Sequence, residues 1–309
     1  MKIVFFGTPE FAQHFLTKLH EDEEIFVSAI VCQPDKPVGR KKEITSPATK
    51  VFALEHNIPV LQPENLKKDK NIVDDLKALD ADAFVIVAYG KIIPQEILNI
   101  PKLGNINVHP SLLPKYRGPS PIQSAIANGD NESGVSIMLI DEEMDHGPIL
   151  AQITIKFDKT ETPESFRQKV VDIGAPLLVE TIKNFDKITP QEQDHNAATF
   201  CKLLTREDGI INWLDPAEKI EAMIRGYSPW PGTSTKLDNK TLKIIRARVG
   251  VWRAKPLLPG EIKIHDHQLF VGTGTSALEI LELQPEGKQK MTAQAFINGN
   301  KEINGKELG

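Results

Sequence analysis

Short apolar runs alternate with amphipathic stretches through the first half of the chain. The strand-like runs, rich in Val, Ile and Phe, cover residues 2–6, 27–32, 83–88, 105–108 and 135–140. Residues 9–20 carry apolar side chains at helical spacing, and residues 163–182 predict a longer helix that Pro176 should kink or interrupt. Strands that alternate with helices predict a Rossmann-like parallel sheet covered by helices.

The second half has a different pattern. Residues 185–205 are mostly polar, contain Pro190 and show no sustained period, which predicts a linker between a first domain at 1–184 and a second at 206–309. Beyond it, short β-rich runs cover 242–249, 261–264, 268–271 and 277–283. The predicted fold class is therefore α/β, with a Rossmann-like parallel-sheet domain followed by a smaller, β-rich, OB-like barrel domain.

Charge is distributed unevenly along the sequence. The chain as a whole carries a formal charge of -5, whereas residues 206–309 carry +2. Residues 219–255 hold nine Lys and Arg against two acidic residues. The second domain is therefore a candidate for contact with a polyanion, although the average charge of the chain argues against one.

The start of the chain and its cysteines bear on where the protein works. No apolar run approaches the roughly 20 residues that cross a bilayer, and the apolar start ends too early for a signal peptide. Only Cys32 and Cys201 occur, without the paired spacing of a zinc or redox site. We expect a cytoplasmic protein without membrane association, and both thiols to be buried.

Polar residues of unusual type end the strand at 105–108. If this strand continues through His109, the side chains of Asn107 and His109 emerge on one face, and Pro110 ends the ladder. Ligand sites in open α/β sheets lie at the carboxyl ends of strands. A lone His is more often a satisfied structural residue, but two polar groups buried together without a task would cost free energy, which favours a functional site.

A second polar cluster, 141–147, follows the run at 135–140. Asp145 is an ordinary turn residue two positions before Gly147. Alternatively, its carboxylate pairs with His109 and fixes the tautomer of the imidazole, as carboxylates do in acid–base sites. Spacing alone leaves both interpretations open.

Several common site types are missing from the sequence. Phe6–Phe11 resembles a phosphate loop but lacks the G-x-G-x-x-G pattern of dinucleotide binding. Neither a P-loop nor the H-E-x-x-H spacing of zinc hydrolases occurs, so we expect chemistry without a metal. Residues 33–42 form a long basic connection, which is a solvated loop or a contact for phosphate groups.

Taken together, these residues resemble the folate-dependent formyltransferase superfamily, and most closely its members that act on tRNA. The superfamily shares Asn-x-His, a following Ser-Leu-Leu-Pro-like loop and a later Asp-x-Gly, found here at Asn107, His109, Ser111–Pro114 and Asp145. The narrower resemblance rests on Phe6–Ala12, the 33–42 loop, Val87–Gly90, Arg117–Gly118, Pro121–Ile122 and Pro229–Pro231. Pro110 departs from many tRNA-acting members, which have Gly or Ala there.

The resemblance implies transfer of the formyl group of 10-formyltetrahydrofolate to the free amino group of methionyl initiator tRNA. It implies that Asn107, His109 and Asp145 are catalytic. The residues it implies for folate binding are Ser111, Leu112, Leu113, Pro114, Val87, Tyr89 and Gly90. The residues expected to contact tRNA are Arg40, Lys41, Lys42, Arg225, Lys243, Arg246 and Arg248. We expect a monomer.

Three other functions are compatible with parts of the sequence. The same chemistry acts on small amines, such as a nucleotide-linked amino sugar or a purine precursor, but these substrates have little need of the basic 219–255 stretch. A formyltetrahydrofolate hydrolase needs the same three residues and no amine. An RNA-binding protein without activity would have no reason to retain Asn107, His109 and Asp145 together.

Overall fold

The computed structural model describes residues 1–39, 42–250, 252 and 256–309. Contacts between Cα atoms divide the chain into two compact units. The first comprises residues 1–118, 133–155 and 167–200, and the second comprises 119–132, 156–166 and 201–309. The segment predicted as a linker, 185–205, therefore belongs to the first unit through Phe200, and two pieces of the first half belong to the second unit.

Among the residues that the structure describes, nine strands lie in the first half of the chain. They are β1 (Lys2–Gly7), β2 (Phe26–Val31), β3 (Lys36–Val38), β4 (Glu43–Thr45), β5 (Val60–Leu61), β6 (Ala83–Val87), β7 (Asn105–His109), β8 (Glu132–Leu139) and β9 (Ile149–Lys156). Seven of them form one sheet in the order β5-β2-β1-β6-β7-β8-β9. The pairs from β5 to β7 are parallel, and β7 pairs with β8 antiparallel. All five residues of β6 are buried, as expected of a parallel strand covered on both faces.

In the described part of this region, six α-helices accompany these strands. They are α1 (Glu10–Glu21), α2 (Ala48–Glu55), α3 (Ile72–Ala78), α4 (Gln95–Leu98), α5 (Pro121–Ala127) and α6 (Pro163–Lys183). The sequence predicted that Pro176 would kink or interrupt helix α6; the helix is continuous through Pro176, so it is not interrupted there. Within the described part of the chain, no helix combines the length and apolar character needed to cross a bilayer. Both cysteines are buried, as predicted.

A hairpin that the sequence did not predict begins in the 33–42 connection and ends at Thr45. Strands β3 and β4 pair antiparallel, with Lys36 opposite Thr45. At the base of the hairpin, the Asp35 carboxylate accepts hydrogen bonds from Gln62 Nε2 and Lys50 Nζ, both at 2.9 Å. These two donors, Gln62 first, lower the pKa of Asp35 to about 2. The carboxylate is therefore ionised at neutral pH and anchors the hairpin to the sheet.

The last third of the chain forms a second, antiparallel sheet. The strands of this sheet are β10 (Thr233–Leu237), β11 (Lys240–Gly250), β12 (Ile262–His265), β13 (Gln268–Gly272), β14 (Ala277–Pro285) and β15 (Met291–Thr292). Two helices accompany them, α7 (Ala217–Gly226) and α8 (Ala293–Gly299). The strands are ordered β10-β11-β14-β13-β12, and β15 pairs with β14. Trp213, Ile220, Leu278 and other apolar residues fill one core cluster under this sheet.

The two edges of this sheet are bridged by the C-terminal residues. Ile262 N donates to Lys306 O on the β12 edge, at 2.8 Å, and Gly309 N donates to Lys236 O on β10, at 3.1 Å. The C-terminal residues thus cover part of the β12 edge and reach the end of β10. The predicted fold class, a Rossmann-like parallel-sheet domain and a separate β-rich domain, is confirmed.

Candidate active site

Strand β7 presents Asn107 and His109 on one face. Asn107 lies opposite Ile86 of β6 and Met138 of β8, and His109 lies opposite Ser136. Asn107 is the only residue of the strand that is not fully buried. Among the described residues its amide makes no hydrogen bond, so it is available to a ligand.

His109 is held from both sides. Its side chain is 6% exposed, Nε2 lies 2.9 Å from the Tyr116 carbonyl oxygen, and Nδ1 lies 3.5 Å from Asp145 Oδ1. Because a carbonyl oxygen only accepts, Nε2 carries the hydrogen. The neutral ring therefore has its lone pair on Nδ1, and a proton taken up there forms an ion pair with the Asp145 carboxylate.

Asp145 reaches His109 from the loop that connects β8 and β9. Its φ of 52° is left-handed, a conformation uncommon outside glycine although tolerated by Asp. Asp145 Oδ2 accepts a hydrogen bond from Gly118 N at 2.7 Å. Gly147 lets the loop pass close to β8, since an added Cβ would lie 2.1 Å from the Leu139 carbonyl oxygen. The structure thus brings His109 and Asp145 together, which spacing alone left open.

Two residues that the sequence did not mark as part of the site lie behind this loop. The buried Arg117 donates to Gln193 Oε1 from Nε at 3.1 Å and from Nη2 at 2.7 Å. Gln193 Nε2 in turn donates to the Asp145 carbonyl oxygen at 3.0 Å. Arg117 belongs to a motif that carries the family resemblance, which was a usable signal. Gln193 lies in the predicted linker, where nothing marked it.

Two histidines extend the network on the same side. His146 and His195 stack with ring centroids 3.9 Å apart and planes only 3° from parallel. His146 Nδ1 lies 2.6 Å from Asp141 Oδ2, and His195 Nδ1 accepts from Arg117 Nη2 at 2.9 Å. The loop of Asp145 is therefore fixed at several points along its length.

The loop predicted to hold folate, Ser111–Pro114, is pinned to β8 and β9. Ser136 Oγ donates to the Ser111 carbonyl oxygen at 2.7 Å and accepts from Leu113 N at 3.1 Å. Gln152 Nε2 donates to the Leu113 carbonyl oxygen at 3.0 Å. The loop is held by its backbone, so its conformation is fixed independently of any ligand.

The other predicted folate segment, Val87–Gly90, follows β6, the neighbour of β7. Val87 and the Tyr89 side chain are buried, and burial raises the pKa of the Tyr89 phenol to about 12. The Tyr89 carbonyl oxygen accepts from Thr8 Oγ1 at 3.1 Å and from Gln33 Nε2 at 2.8 Å. A ligand at this edge of the sheet therefore meets the backbone of the segment rather than these two side chains.

The basic residues predicted to contact tRNA occupy different settings. Lys42 is exposed beside β4, and Arg40 and Lys41 lie outside the described residues. Arg225 is engaged within its own unit, since its guanidinium pairs with Glu221 at 2.8 Å and donates to the Glu161 carbonyl oxygen at 2.8 Å.

The remaining three basic residues share one face of β11. A bulge at Ile245 shifts the register against β14, which keeps Lys243 and Arg246 both exposed. Arg246 and Arg248 pair with Glu282 and Glu279 of β14, at 3.1 and 2.7 Å. Within the described part of the chain, Lys243 has no ion pair. Two of the three basic side chains on this face are therefore offset by acidic neighbours.

No cluster of three or more His, Cys, Asp or Glu side chains suited to a metal ion occurs among the described residues.

Solved structures with the same fold span almost the whole chain. A structure of HypX from Aquifex aeolicus with tetrahydrofolic acid matches with a TM-score of 0.63 and 18% identity. The match covers 99% of this chain and 48% of that longer one. WlaRD, a sugar 3N-formyl transferase, matches with a TM-score of 0.67 and 18% identity over 94% of this chain and 99% of its own.

Sequence comparison gives much closer relatives. Methionyl-tRNA formyltransferase of Roseiflexus sp. (strain RS-1) is 45% identical, with 100% of this chain and 95% of the relative covered. The enzyme of the same name from Thermodesulfovibrio yellowstonii is 45% identical, with 97% and 96% covered. The formyl transferase family matches residues 1–182, and its C-terminal domain matches residues 203–301. This chain therefore belongs to the formyl transferase family.

Proposed function

We propose that this protein transfers the formyl group of 10-formyltetrahydrofolate to the free amino group of methionyl initiator tRNA. The observation that carries the proposal is the buried His109–Asp145 contact beside Asn107 at the end of β7. It occurs in a chain that is 45% identical, over its whole length, to methionyl-tRNA formyltransferases. The protein acts as a monomer in the cytoplasm, on a tRNA and a folate.

Three side chains perform the catalysis in this proposal. The amine nitrogen of methionine bonds to the formyl carbon while the bond from that carbon to the folate nitrogen breaks, and one proton passes from the amine to that nitrogen. The free amide of Asn107 donates a hydrogen bond to the formyl oxygen as negative charge develops there. Such a donor contributes a factor of about 100 to 1,000 in rate.

His109 moves the proton. With Nε2–H held by Tyr116, the lone pair on Nδ1 is the position that accepts a proton. The Asp145 carboxylate at 3.5 Å stabilises the imidazolium that forms and keeps the ring in one orientation. General acid–base catalysis of this kind contributes about 100- to 10,000-fold.

Folate supplies the formyl group and binds between the two loops that follow β6 and β7. Supporting this, the backbone of Ser111–Pro114 is fixed by Ser136 and Gln152, and the segment 87–90 has its own backbone held by Thr8 and Gln33. Two preformed backbone edges at the carboxyl end of adjacent strands suit a flat, hydrogen-bonding ring. Neither loop needs to fold around the ligand.

The tRNA contacts the basic hairpin and the β11 face. In this proposal Arg40, Lys41 and Lys42 contact the acceptor end, and Lys243, Arg246 and Arg248 follow the phosphates. Arg225 contributes less than these residues, because Glu221 already pairs with its charge and three of its five N–H donors already bind Glu221 and the Glu161 carbonyl. In this proposal residues 1–184 carry the catalytic side chains and residues 206–309 bind tRNA, while the segment 185–200 belongs to the first unit.

The test supplies 10-formyltetrahydrofolate with one acceptor at a time: charged initiator tRNA, charged elongator methionine tRNA, a nucleotide-linked amino sugar, or water alone. We expect N-formylmethionine on the initiator tRNA and little product elsewhere. Formylation of the amino sugar alone would replace tRNA as the substrate. Formate release without an amine would identify a hydrolase, and no product with any acceptor would refute the proposal.

A further inference from the structure

The segment at 190–196 contains one buried side chain among exposed ones. Gln193 is 5% exposed, whereas its neighbours Glu192 and Asp194 are exposed. The segment is attached to the first unit by its backbone, since Gln191 and Ile149 exchange two hydrogen bonds of 2.8 Å. Gln193 therefore enters the first unit from a firmly held strand-like segment.

The amide of Gln193 makes four hydrogen bonds. Oε1 accepts from Nε and Nη2 of Arg117, and Nε2 donates to the carbonyl oxygens of Asp145 and Gly147, at 3.0 and 2.7 Å. A guanidinium only donates and a carbonyl oxygen only accepts, so the amide has one possible orientation. All four hydrogen-bonding positions on this side chain are therefore used within the site.

These bonds fix a backbone that would otherwise be unfavourable. Asp145 is left-handed, and such a conformation persists where its surroundings determine it. Gln193 Nε2 is bonded to the carbonyl oxygens of the residues on either side of His146, and these two bonds set the path of the loop. The direction of the Asp145 carboxylate follows from that path.

The same residue is linked to the other side of the His109–Asp145 contact. Arg117 lies between Tyr116, whose carbonyl accepts from His109 Nε2, and Gly118, whose N–H donates to Asp145 Oδ2. By fixing the Arg117 guanidinium, Gln193 fixes this short segment. A single buried amide thus joins the two pieces of backbone that hold the imidazole and the carboxylate.

We infer that Gln193 is a positioning residue, which sets the geometry of Asp145 against His109 without touching substrate. The inference rests on the proposed function for its kinetic consequence. Misplacement of a catalytic group by about 1 Å reduces rate by about 100-fold. Loss of the Gln193 donor should therefore lower kcat and leave substrate binding nearly intact.

The variant Gln193→Glu separates the effect of the amide oxygen, which it keeps, from the effect of the amide nitrogen, which it removes. It keeps an oxygen for Arg117 but turns a carboxylate oxygen towards the carbonyls of Asp145 and Gly147. We expect kcat to fall about 10- to 100-fold, with KM for folate and for tRNA changed less than about threefold. The matched control is Gln191→Glu, which makes the same chemical change at an exposed side chain two residues away and should keep the parent kcat.

A second measurement does not depend on activity. The imidazole nitrogen resonances of His109, assigned by their loss in His109→Gln, should shift in Q193E and stay in place in Q191E. If Q193E fails to fold, Gln193→Asn retains the amide but is too short to reach both partners, and it should show the same kcat loss. A folded Q193E with parent kcat and unmoved His109 resonances would overturn the inference.

The two proposals fail in different ways. If the unmodified protein formylates no amine, the proposed function is wrong, and the resonance shift still decides whether Gln193 positions the pair. If the protein is active and Q193E loses only thermal stability, Gln193 is structural and the proposed function stands.

Discussion

Asn107 is distinguished within its strand by the lack of a partner. The other four residues of β7 are buried, and His109 has contacts at both ring nitrogens, but the Asn107 amide is partly accessible and makes no hydrogen bond to any described residue. A polar group at the end of a parallel strand that is left free in the protein is suited to a ligand atom. Its amide N–H donors are the feature that the chemistry requires.

We expect Asn107→Ala to lower kcat about 100- to 1,000-fold because it removes a donor to the developing negative charge. Asn107→Asp should lose as much, since a carboxylate is the same size but accepts only. The measurement is steady-state formylation at saturating folate and tRNA, with the folate dissociation constant determined separately. Asn99→Ala, at an exposed position beyond α4, serves as the control. A folded Asn107→Ala with near-normal turnover would refute the proposed role.

At the scale of elements, the sequence predicted best those strands that are buried and built from apolar side chains. Strands β1 and β6 are almost wholly buried, and their runs of Val, Ile and Phe indicated them directly. The β3–β4 hairpin and the segment at 185–200 were not predicted as ordered pieces, because polar contacts with distant residues stabilise them. Asp35 binds Lys50 and Gln62, and Gln193 binds Arg117, and no local pattern in the sequence reports such contacts.

In the candidate site, too, some features were predictable from the sequence and others were not. Asn107 and His109 were predictable because a strand of period two places them on one face. Their approach to Asp145 was not, since it depends on a left-handed backbone and on Gly147 passing close to Leu139. Tyr89 was predicted as a folate residue, and its buried side chain leaves only its backbone for that role, which remains a prediction.

Strand β11 gives a prediction about its three basic residues. Lys243 lacks an ion pair among the described residues, whereas Arg248 covers Glu279, which is only 10% exposed. We expect Lys243→Gln to raise KM for tRNA and to reduce the slope of log affinity against log salt by about 0.7 to 0.9, with no loss of stability.

Arg248→Gln should behave differently, because it leaves Glu279 nearly buried and without its cation. Its unfolding midpoint should fall as well as its tRNA affinity. Both variants are compared by tRNA binding between low and moderate salt and by thermal unfolding, with the exposed Lys68→Gln as control. A salt slope unchanged in Lys243→Gln would remove β11 from the proposed tRNA surface.

At the scale of the whole molecule, the last residues of the chain complete the second sheet. Lys306 and Leu308 bond along the β12 edge, Gly309 bonds to β10, and the Leu308 side chain is 3% exposed in the core under the sheet. Without them, two strands would have unpaired backbone groups at open edges, which promote association between chains. These three residues therefore protect the edges of strands that lie far from them in sequence.

Removing the buried Leu308 side chain tests how much the C-terminal residues stabilise the second sheet. Leu308→Ala should reduce the free energy of unfolding by about 2 to 5 kcal/mol, the range for a large-to-small change in a core, whereas Glu307→Ala, exposed and adjacent, should change it little. A chain ending at residue 305 should lose at least as much and self-associate through β10 and β12. Urea unfolding and sedimentation measure both effects. Equal stability of the Leu308→Ala and Glu307→Ala proteins would mean that the core under the sheet is complete without Leu308, because a side chain that fills a core cannot be removed without loss of stability.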